Sequence, residues 1–330
     1  MKKVISSQKF LSLLAVVAIM AAGSCSSDDD VVADAVDTSA RPLIFHVSET
    51  PLADDDAPAA TRTAPTTTST LSGFNYCYLI TGGSLSDPES ASNNESGTWS
   101  ASGWPSVDND ETTVNFYAYA NASSSANVYK DGSKVVLNFE VDGTTYSQKD
   151  LLVATQSDTY THSNGNIGFQ FSHACGAVRF SLSKTNSLSA YSVLVKSVKI
   201  HIPCSGTYCF DDGTWVIQSD SEYNKLFTLK SYENGYLTVT SEKQFLSNEG
   251  DYLFLLPQTL TPWDKTGKPA NAYVEIECKI SNGTTYKVGS ASNWGTAYLP
   301  LGITIEKGKI YPVNISLGTA LRDAQGDKIF

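Results

Sequence analysis

Cys25 has the clearest chemical role in this sequence, because it lies where a thiol could be acylated. A basic leader and a short apolar run, Phe10 to Ala22, precede it, and Gly23 and Ser24 follow that run. A basic start, a short apolar core and small residues before a cleavage point are typical of a secretory signal peptide. The sequence therefore predicts a signal peptide over residues 1–24 and lipid attachment at Cys25. The alternative is an ordinary signal peptide cut near a chance cysteine, since short motifs also match by chance.

The residues after Cys25 bear on where such a lipoprotein would reside. Residues 25–41 form a polar linker that contains Ser27-Asp28-Asp29-Asp30. This run is similar to the acidic signal that sends some bacterial lipoproteins to the outer face of the outer membrane. Acidic runs are also common as plain solvated linkers. We expect an outer-membrane lipoprotein at the cell surface in preference to a periplasmic one.

The remaining residues that could bind metal or catalyse a reaction do not complete a site. His201, Cys204 and Cys209 offer three zinc ligands, whereas a closed site needs four. Asp108-Asn109-Asp110-Glu111 lacks the Gly and the distant Glu of a calcium-binding EF-hand loop, so a hairpin turn is predicted there. The sequence has no nucleophile elbow, phosphate loop or His-Glu-x-x-His motif. We predict no enzymatic activity, no metal and no cofactor.

Acylation of Cys25 would leave five of the six cysteines, an odd number, so they cannot all form disulfides within one chain. Cys204 and Cys209 flank a turn-like segment, which leaves open whether they form a hairpin disulfide or stay free. The other three are predicted to be buried thiols: Cys77, Cys175 and Cys278.

Composition and charge limit the class of protein. The chain has a formal net charge of −11, and loss of the leader's three lysines leaves it near −14. An acidic surface of this kind repels phosphate, which excludes nucleic acid as a partner. The 17 tyrosines and 13 phenylalanines accompany many β-branched residues, and this composition favours β-sheet.

The pattern of apolar residues and turn signals along the chain predicts an all-β protein with two β-sandwich domains in tandem, at 42–165 and 166–330. Alternating apolar residues recur in short runs between turn signals, and no run has a helical period of helix length. In the strand predicted over Thr113–Ala120, for example, Val114 and Phe116 share one face. Trp99, Trp104 and Tyr119 could line a sugar-binding platform, but a core position is more typical of aromatic residues in a sandwich. The first predicted strand is 42–48, and a low-complexity loop, 54–72, follows it.

Several motifs in order along the chain resemble those of the fimbrillin family, the type V pilins made from lipoprotein precursors. The first is the block Gly97-Thr98-Trp99, Trp104-Pro105 and Val114 to Ala120. The others are Asp150-Leu151-Leu152-Val153-Ala154, Phe169 to Ala174 with Val178-Arg179-Phe180, Phe254 to Thr259, and Gly308-Lys309-Ile310-Tyr311. The resemblance spans essentially the whole chain after the leader.

The resemblance implies a fold and an assembly route. The fold would be two transthyretin-like β-sandwich domains. An arginine-specific protease would remove the N-terminal segment with its first strand, here the segment that contains Leu43, Ile44, Phe45 and Val47. A strand from a neighbouring subunit would then fill the groove by donor-strand exchange, which is a form of β-strand addition.

Four arginines follow the leader, and they narrow the choice of processing site. Arg41 precedes Pro42, which resists most trypsin-like cleavage, Arg179 lies in a predicted core strand, and Arg322 lies near the end of the sequence. Arg62 lies in the low-complexity loop after the first strand, where proteolysis is favoured. Cleavage is therefore predicted at Arg62–Thr63.

The function predicted from the resemblance is a structural or adhesive subunit of a cell-surface fimbrium. Its partners would be other fimbrial subunits, the outer membrane through the precursor's lipid anchor (palmitate among its acyl chains), and a host glycan or protein for adhesion. The residues after Leu317 form a short polar tail with weak alternation, so a tip or accessory subunit is favoured over a stalk subunit. The alternative is a monomeric surface lipoprotein that binds a glycan or host protein and keeps its first strand.

Overall fold

The computed structural model describes residues 41–53, 71–93, 99–122, 126–141, 146, 148–218, 220, 224–264 and 271–330. In these ranges the helical elements are one short α-helix, α1 (Tyr160–Ser163), and a 3₁₀ turn, Asn186–Leu188. Neither could cross a membrane, and no other described segment forms a long apolar helix. The remaining regular structure is strand, which confirms the predicted all-β class.

These ranges contain 23 strands, and the longer ones show alternation of side chains. In β9, for instance, each buried residue alternates with an exposed one from Asn166 to His173, as a half-buried strand requires. In chain order the strands are β1 (Ile44–Glu49), β2 (Gly73–Ile80), β3 (Glu89–Asn93), β4 (Trp99–Ser100), β5 (Val114–Ala120), β6 (Asn127–Asp131), β7 (Lys134–Glu140), β8 (Leu152–Asp158), β9 (Asn166–His173), β10 (Gly176–Lys184), β11 (Ser192–Pro203), β12 (Ser205–Cys209), β13 (Trp215–Gln218), β14 (Asn224–Ser231), β15 (Leu237–Thr238), β16 (Gln244–Phe245), β17 (Leu253–Leu255), β18 (Gln258–Thr259), β19 (Tyr273–Ser281), β20 (Tyr286–Val288), β21 (Gly295–Pro300), β22 (Thr304–Ile305) and β23 (Ile310–Leu317).

Seven strands form a sheet that closes on itself, in the order β1-β4-β3-β2-β5-β8-β9. β1 completes the ring, since it pairs antiparallel with β4 on one side and parallel with β9 on the other. A closed sheet has no free edge at which another strand could add. The absence of a free edge therefore depends on β1.

The other strands form smaller sheets. β11 lies at the centre of one, beside β14, β15 and β19, and β10 pairs with β16, β17 and, in parallel, β23. A further sheet has the order β13-β12-β7-β6. Strand pairing thus joins the residues before and after 165 in two sheets and at one bridge. β9 belongs to the first sheet, β12 pairs with β7, and Ala53 forms a bridge with Lys309. The division into domains at 42–165 and 166–330, like the transthyretin-like form of each, stays a prediction.

Two hydrophobic cores meet at the strands of the closed sheet. Val114, Phe116 and the alanines of β5 belong to an aromatic core inside that sheet. Tyr117 and Tyr119, on the opposite face of β5, belong to a larger core that the other sheets share. The one-face grouping predicted for β5 is therefore correct, and both faces of this strand are buried.

The segment between Cys204 and Cys209 is a strand, not the predicted turn-like segment. Ser205–Cys209 forms β12 and pairs with β7 and β13. Residues five apart along a strand are separated by roughly 16 Å, at about 3.3 Å per residue, which is too far for a disulfide. Both cysteines are free, as are the three predicted to be buried thiols.

Candidate functional site

Strand β1 occupies a position that its place in the chain does not dictate. It does not pair with β2, the next strand in sequence, but lies between β4 and β9. Its pairing with β9 is parallel and continuous, from Ile44 opposite Asn166 to Glu49 opposite Phe171. β1 is therefore an inserted element held by distant parts of the chain. We call the space that it fills, bounded by β4, β9 and the aromatic core, the β1 groove.

Phe45 is the side chain that fills the centre of the β1 groove. It is fully buried, and Leu43 on the same face is almost as buried. Its ring centroid lies 4.8 Å from that of Tyr76, 5.0 Å from that of Phe169 and 5.4 Å from that of Phe74. Edge-to-face and offset contacts of this kind add to the free energy of simple burial. Phe45 is therefore the main apolar anchor of β1.

Backbone hydrogen bonds hold the segment at both ends. The Ile44 N–H donates to the Gly165 carbonyl at 2.8 Å, and the Thr50 N–H donates to the Phe171 carbonyl at 2.8 Å. Farther on, Ala53 exchanges hydrogen bonds with Gly308 and Ile310, and Leu52 is buried in the larger core. Residues 41–53 thus connect the aromatic core with the larger core.

Gly165 allows the close approach of the segment before β1. It has a φ of +78°, and a Cβ added there would lie 2.1 Å from the Pro42 carbonyl oxygen. We expect Gly165→Ala to lower the free energy of unfolding by about 2 kcal/mol, from left-handed backbone strain and this clash together.

Urea denaturation followed by tryptophan fluorescence measures this effect. Gly168→Ala is the matched control, because Gly168 lies three residues farther on, in β9 opposite His46, and a Cβ added there would meet open space. That variant should keep the wild-type midpoint or exceed it, since alanine has less backbone entropy to lose than glycine. Equal midpoints for the two alanine variants would contradict the prediction.

A buried charged cluster closes one end of the β1 groove. His173 Nδ1 contacts the Asp150 carboxylate, and His173 Nε2 lies 3.1 Å from Glu49 Oε1. The side chains of His173 and Asp150 are 1% and 0% exposed, and that of Glu49 is 8% exposed. A cavity of about 250 Å³, lined by Thr50, Ser172 and Lys307 among others, adjoins His173. The last inward-facing residue of β1 is therefore ionic, whereas the earlier ones are apolar.

The surroundings of His173 favour its protonated form. Burial by itself lowers the pKa of His173, but the hydrogen bond and charge of Asp150, with the charge of Glu49, outweigh it and raise the pKa above its ordinary value. The contact between His173 Nδ1 and Asp150 is a hydrogen bond, whereas the contact between Nε2 and Glu49 is an ion pair without hydrogen-bond geometry. The cluster therefore links β1 to β9 through charge as well as through backbone pairing, and it links β1 through charge to Asp150, two residues before β8.

A comparison with known protein families identifies the family to which the chain belongs. A model of the fimbrillin-like family matches residues 60–328. The chain belongs to the fimbrillin-like family. This confirms the resemblance seen in the sequence motifs.

A solved structure agrees with this assignment at the level of the fold. A fimbrial protein from Bacteroides vulgatus aligns with a TM-score of 0.50 at 16% identity, over 84% of this fimbrillin-like chain and 95% of the other. The fimbrial anchor protein Mfa2 from Porphyromonas gingivalis aligns with a TM-score of 0.31 at 13% identity, over 60% of this chain and 76% of its own. No curated protein matches the chain.

The structure of this fimbrillin-like chain brings together four of the predicted site residues and leaves three outside. Leu43, Ile44, Phe45 and Val47 lie together on or beside β1, which spans Ile44–Glu49 where the sequence predicts 42–48. Cys25, Arg62 and Thr63 lie outside the described residues, so lipid attachment and processing stay predictions.

The other candidate chemistry does not form a site in the described part of the chain. Among those residues, no group of three or more His, Cys, Asp and Glu side chains is placed so that it could hold a metal ion. His201 stacks on Tyr273. Asn109 accepts a hydrogen bond from the Glu111 N–H in a turn, but the flanking strands β4 and β5 do not pair, so this turn is not the predicted hairpin. Trp99, Trp104 and Tyr119 are buried in the two cores, so they present no platform to a sugar.

Sequence reasoning missed Glu49 and the pair formed by Asp150 and His173. In the sequence, the histidines are scattered, and each is predicted to be either exposed to solvent or a structural side chain with its own partners. The structure shows that His173 is buried between two carboxylates. One signal could have found it: His173 continues the alternating inward row of Ile167, Phe169 and Phe171. A histidine at the end of an apolar row predicts a buried partner of opposite charge.

Proposed function

We propose that this chain is a structural or adhesive subunit of a cell-surface fimbrium, assembled by donor-strand exchange after proteolytic removal of β1. The observation that carries this proposal is the insertion of β1 between β4 and β9, far from its neighbour in sequence. Removal of β1 would open the closed sheet and leave two edges beside an apolar groove. Such edges bind an added strand through backbone hydrogen bonds.

The precursor in this proposal is a lipoprotein attached to the outer membrane through Cys25, and its processing site is Arg62–Thr63. The contacts of the other three arginines support Arg62 as the site. Arg41 pairs with Asp110 and lies over the Tyr160 ring, Arg179 lies 3.9 Å from the centroid of the Phe245 ring, and the Arg322 guanidinium donates to the Gly326 carbonyl. Cleavage at Arg62 would release all of 41–53.

A tip or accessory role is favoured by contacts of the residues after β23. Leu321 is fully buried, and Arg322 exchanges backbone hydrogen bonds with Tyr298. Phe330 packs edge-on against Tyr191, with ring centroids 5.2 Å apart. These residues are bound to their own domain, so donating them to a neighbour would require those contacts to break. A stalk subunit would need a freer strand.

The N-terminal sequence of the protein isolated from the cell surface tests the proposal. We expect the assembled form to begin at Thr63, and Arg62→Ala to accumulate as a chain that keeps β1. Arg179→Lys, which keeps the charge over Phe245, is the matched control and should be processed normally. Surface protein that begins at acylated Cys25 and is never shortened would contradict the proposal, and would favour the monomeric binder of a glycan or host protein.

A further inference from the structure

The inward face of β1 has two parts with different chemistry. Leu43, Phe45 and Val47 contact the aromatic core, and Glu49, two residues farther on, contacts His173. The facing row on β9 has the same order, with Ile167, Phe169 and Phe171 followed by His173. Both rows therefore end in a charged side chain at the same end of the β1 groove.

Apolar alternation alone does not fix the register of a strand in this groove. A slip of one residue turns every side chain to the other face and is strongly disfavoured. A slip of two residues restores the alternation, because the side-chain period is two. The ionic contact with His173 distinguishes these registers. A slip of two residues in one direction would place the carboxylate against the aromatic core without a partner, and a slip in the other direction would carry it past His173.

The buried pair would also be left incomplete by a strand without a carboxylate. His173 and Asp150 stay with the domain when residues 41–53 leave, since neither belongs to that segment. Lys307 lines the adjoining cavity but its ammonium donates to the Gly213 carbonyl at 2.6 Å. Within the described residues, the carboxylate that reaches His173 Nε2 is that of Glu49.

We propose that the β1 groove selects an incoming strand that carries a carboxylate four residues after its central aromatic residue, and that Asp150 and His173 set the register of this strand. The proposal rests on the proposed function, and it adds the chemistry of the partner. The partner strand has alternating apolar residues with one bulky aromatic at the position of Phe45. It runs parallel to β9 and presents an acidic side chain at the position of Glu49.

Peptide exchange into the nicked protein tests this proposal. A site-specific protease sequence is placed within residues 54–70, and the folded chain is cut there. Fluorescence anisotropy then measures how a labelled peptide of residues 41–53 replaces the cut segment. Four peptides are compared: the natural sequence, Glu49→Gln, His46→Gln, and the double change Val47→Glu with Glu49→Val. The double change moves the carboxylate by two residues without altering composition.

The Glu49→Gln peptide and the double-change peptide should bind at least tenfold more weakly than the natural peptide. His46 is exposed, so the His46→Gln peptide should bind within twofold of it. In a nicked protein with His173→Gln, the preference for Glu over Gln should fall below threefold. This loss of preference separates a direct charge contact from a general effect of the glutamate on the peptide.

Two other outcomes are distinguishable. Equal binding of the natural peptide and the Glu49→Gln peptide would overturn the register proposal and leave strand insertion intact. Failure of every peptide to enter after the cut segment has been removed would overturn strand insertion itself, and the proposed function with it.

Discussion

Replacing Phe45 with alanine is expected to lower the free energy of unfolding by about 3–5 kcal/mol, the range for a large aromatic lost from a packed core. Phe45 is fully buried and touches rings from several strands of the closed sheet. The substitution removes its contacts with Tyr76 and Phe169 and leaves a cavity that a rigid ring of strands cannot fill. Denaturation in urea, monitored by the fluorescence of the nearby tryptophans, measures this loss.

His46→Ala is the matched control for Phe45, because His46 is the next residue on β1 and faces solvent. A surface substitution of this kind should change the free energy of unfolding by no more than about 0.5 kcal/mol. If Phe45→Ala lowered the free energy of unfolding by less than about 1 kcal/mol, the structure would be contradicted, because so small an effect is incompatible with an aromatic ring fully buried in a core.

Replacing His173 with glutamine is expected to cost about 3 kcal/mol near pH 6.5, because it leaves Asp150 and Glu49 buried without their cationic partner. The effect should depend on pH. The folded-state pKa of His173 lies above its ordinary value. The stabilisation from its protonated form is therefore fully present below about pH 6.5 and is lost as the pH rises through the raised folded-state pKa.

The difference in unfolding free energy between wild type and His173→Gln should accordingly shrink as the pH is raised from about 6.5 into the alkaline range. Burial also raises the pKa of Asp150, the acid in direct contact with His173, and that of the neighbouring Cys175 thiol, which therefore keeps its proton at neutral pH. His162→Gln is the matched control: its side chain is 82% exposed beside Asp158, so its cost should stay within about 0.5 kcal/mol. A difference for His173→Gln that is constant across this range would show that His173 is not held as a cation.

The longer strands could be predicted because their alternation is strong. The strand predicted over Thr113–Ala120, for example, differs from β5 by one residue. The two-residue strands β4 and β22 have no periodicity to read, and they exist because a neighbouring strand pairs with them. The segment of β12 resembles a turn in sequence because Ser, Gly and Thr are common in turns, whereas pairing with β7 and β13 keeps it extended.

The sequence by itself determined the all-β class, the family through ordered motifs, and the apolar face of the first strand. Each follows from local side-chain order, which survives without knowledge of distant contacts. Only the tertiary structure decided that β1 closes a ring between β4 and β9, because pairing between residues more than 100 positions apart leaves no local pattern. It also decided that Glu49, Asp150 and His173 meet, since a buried ionic contact arises where separate strands end together.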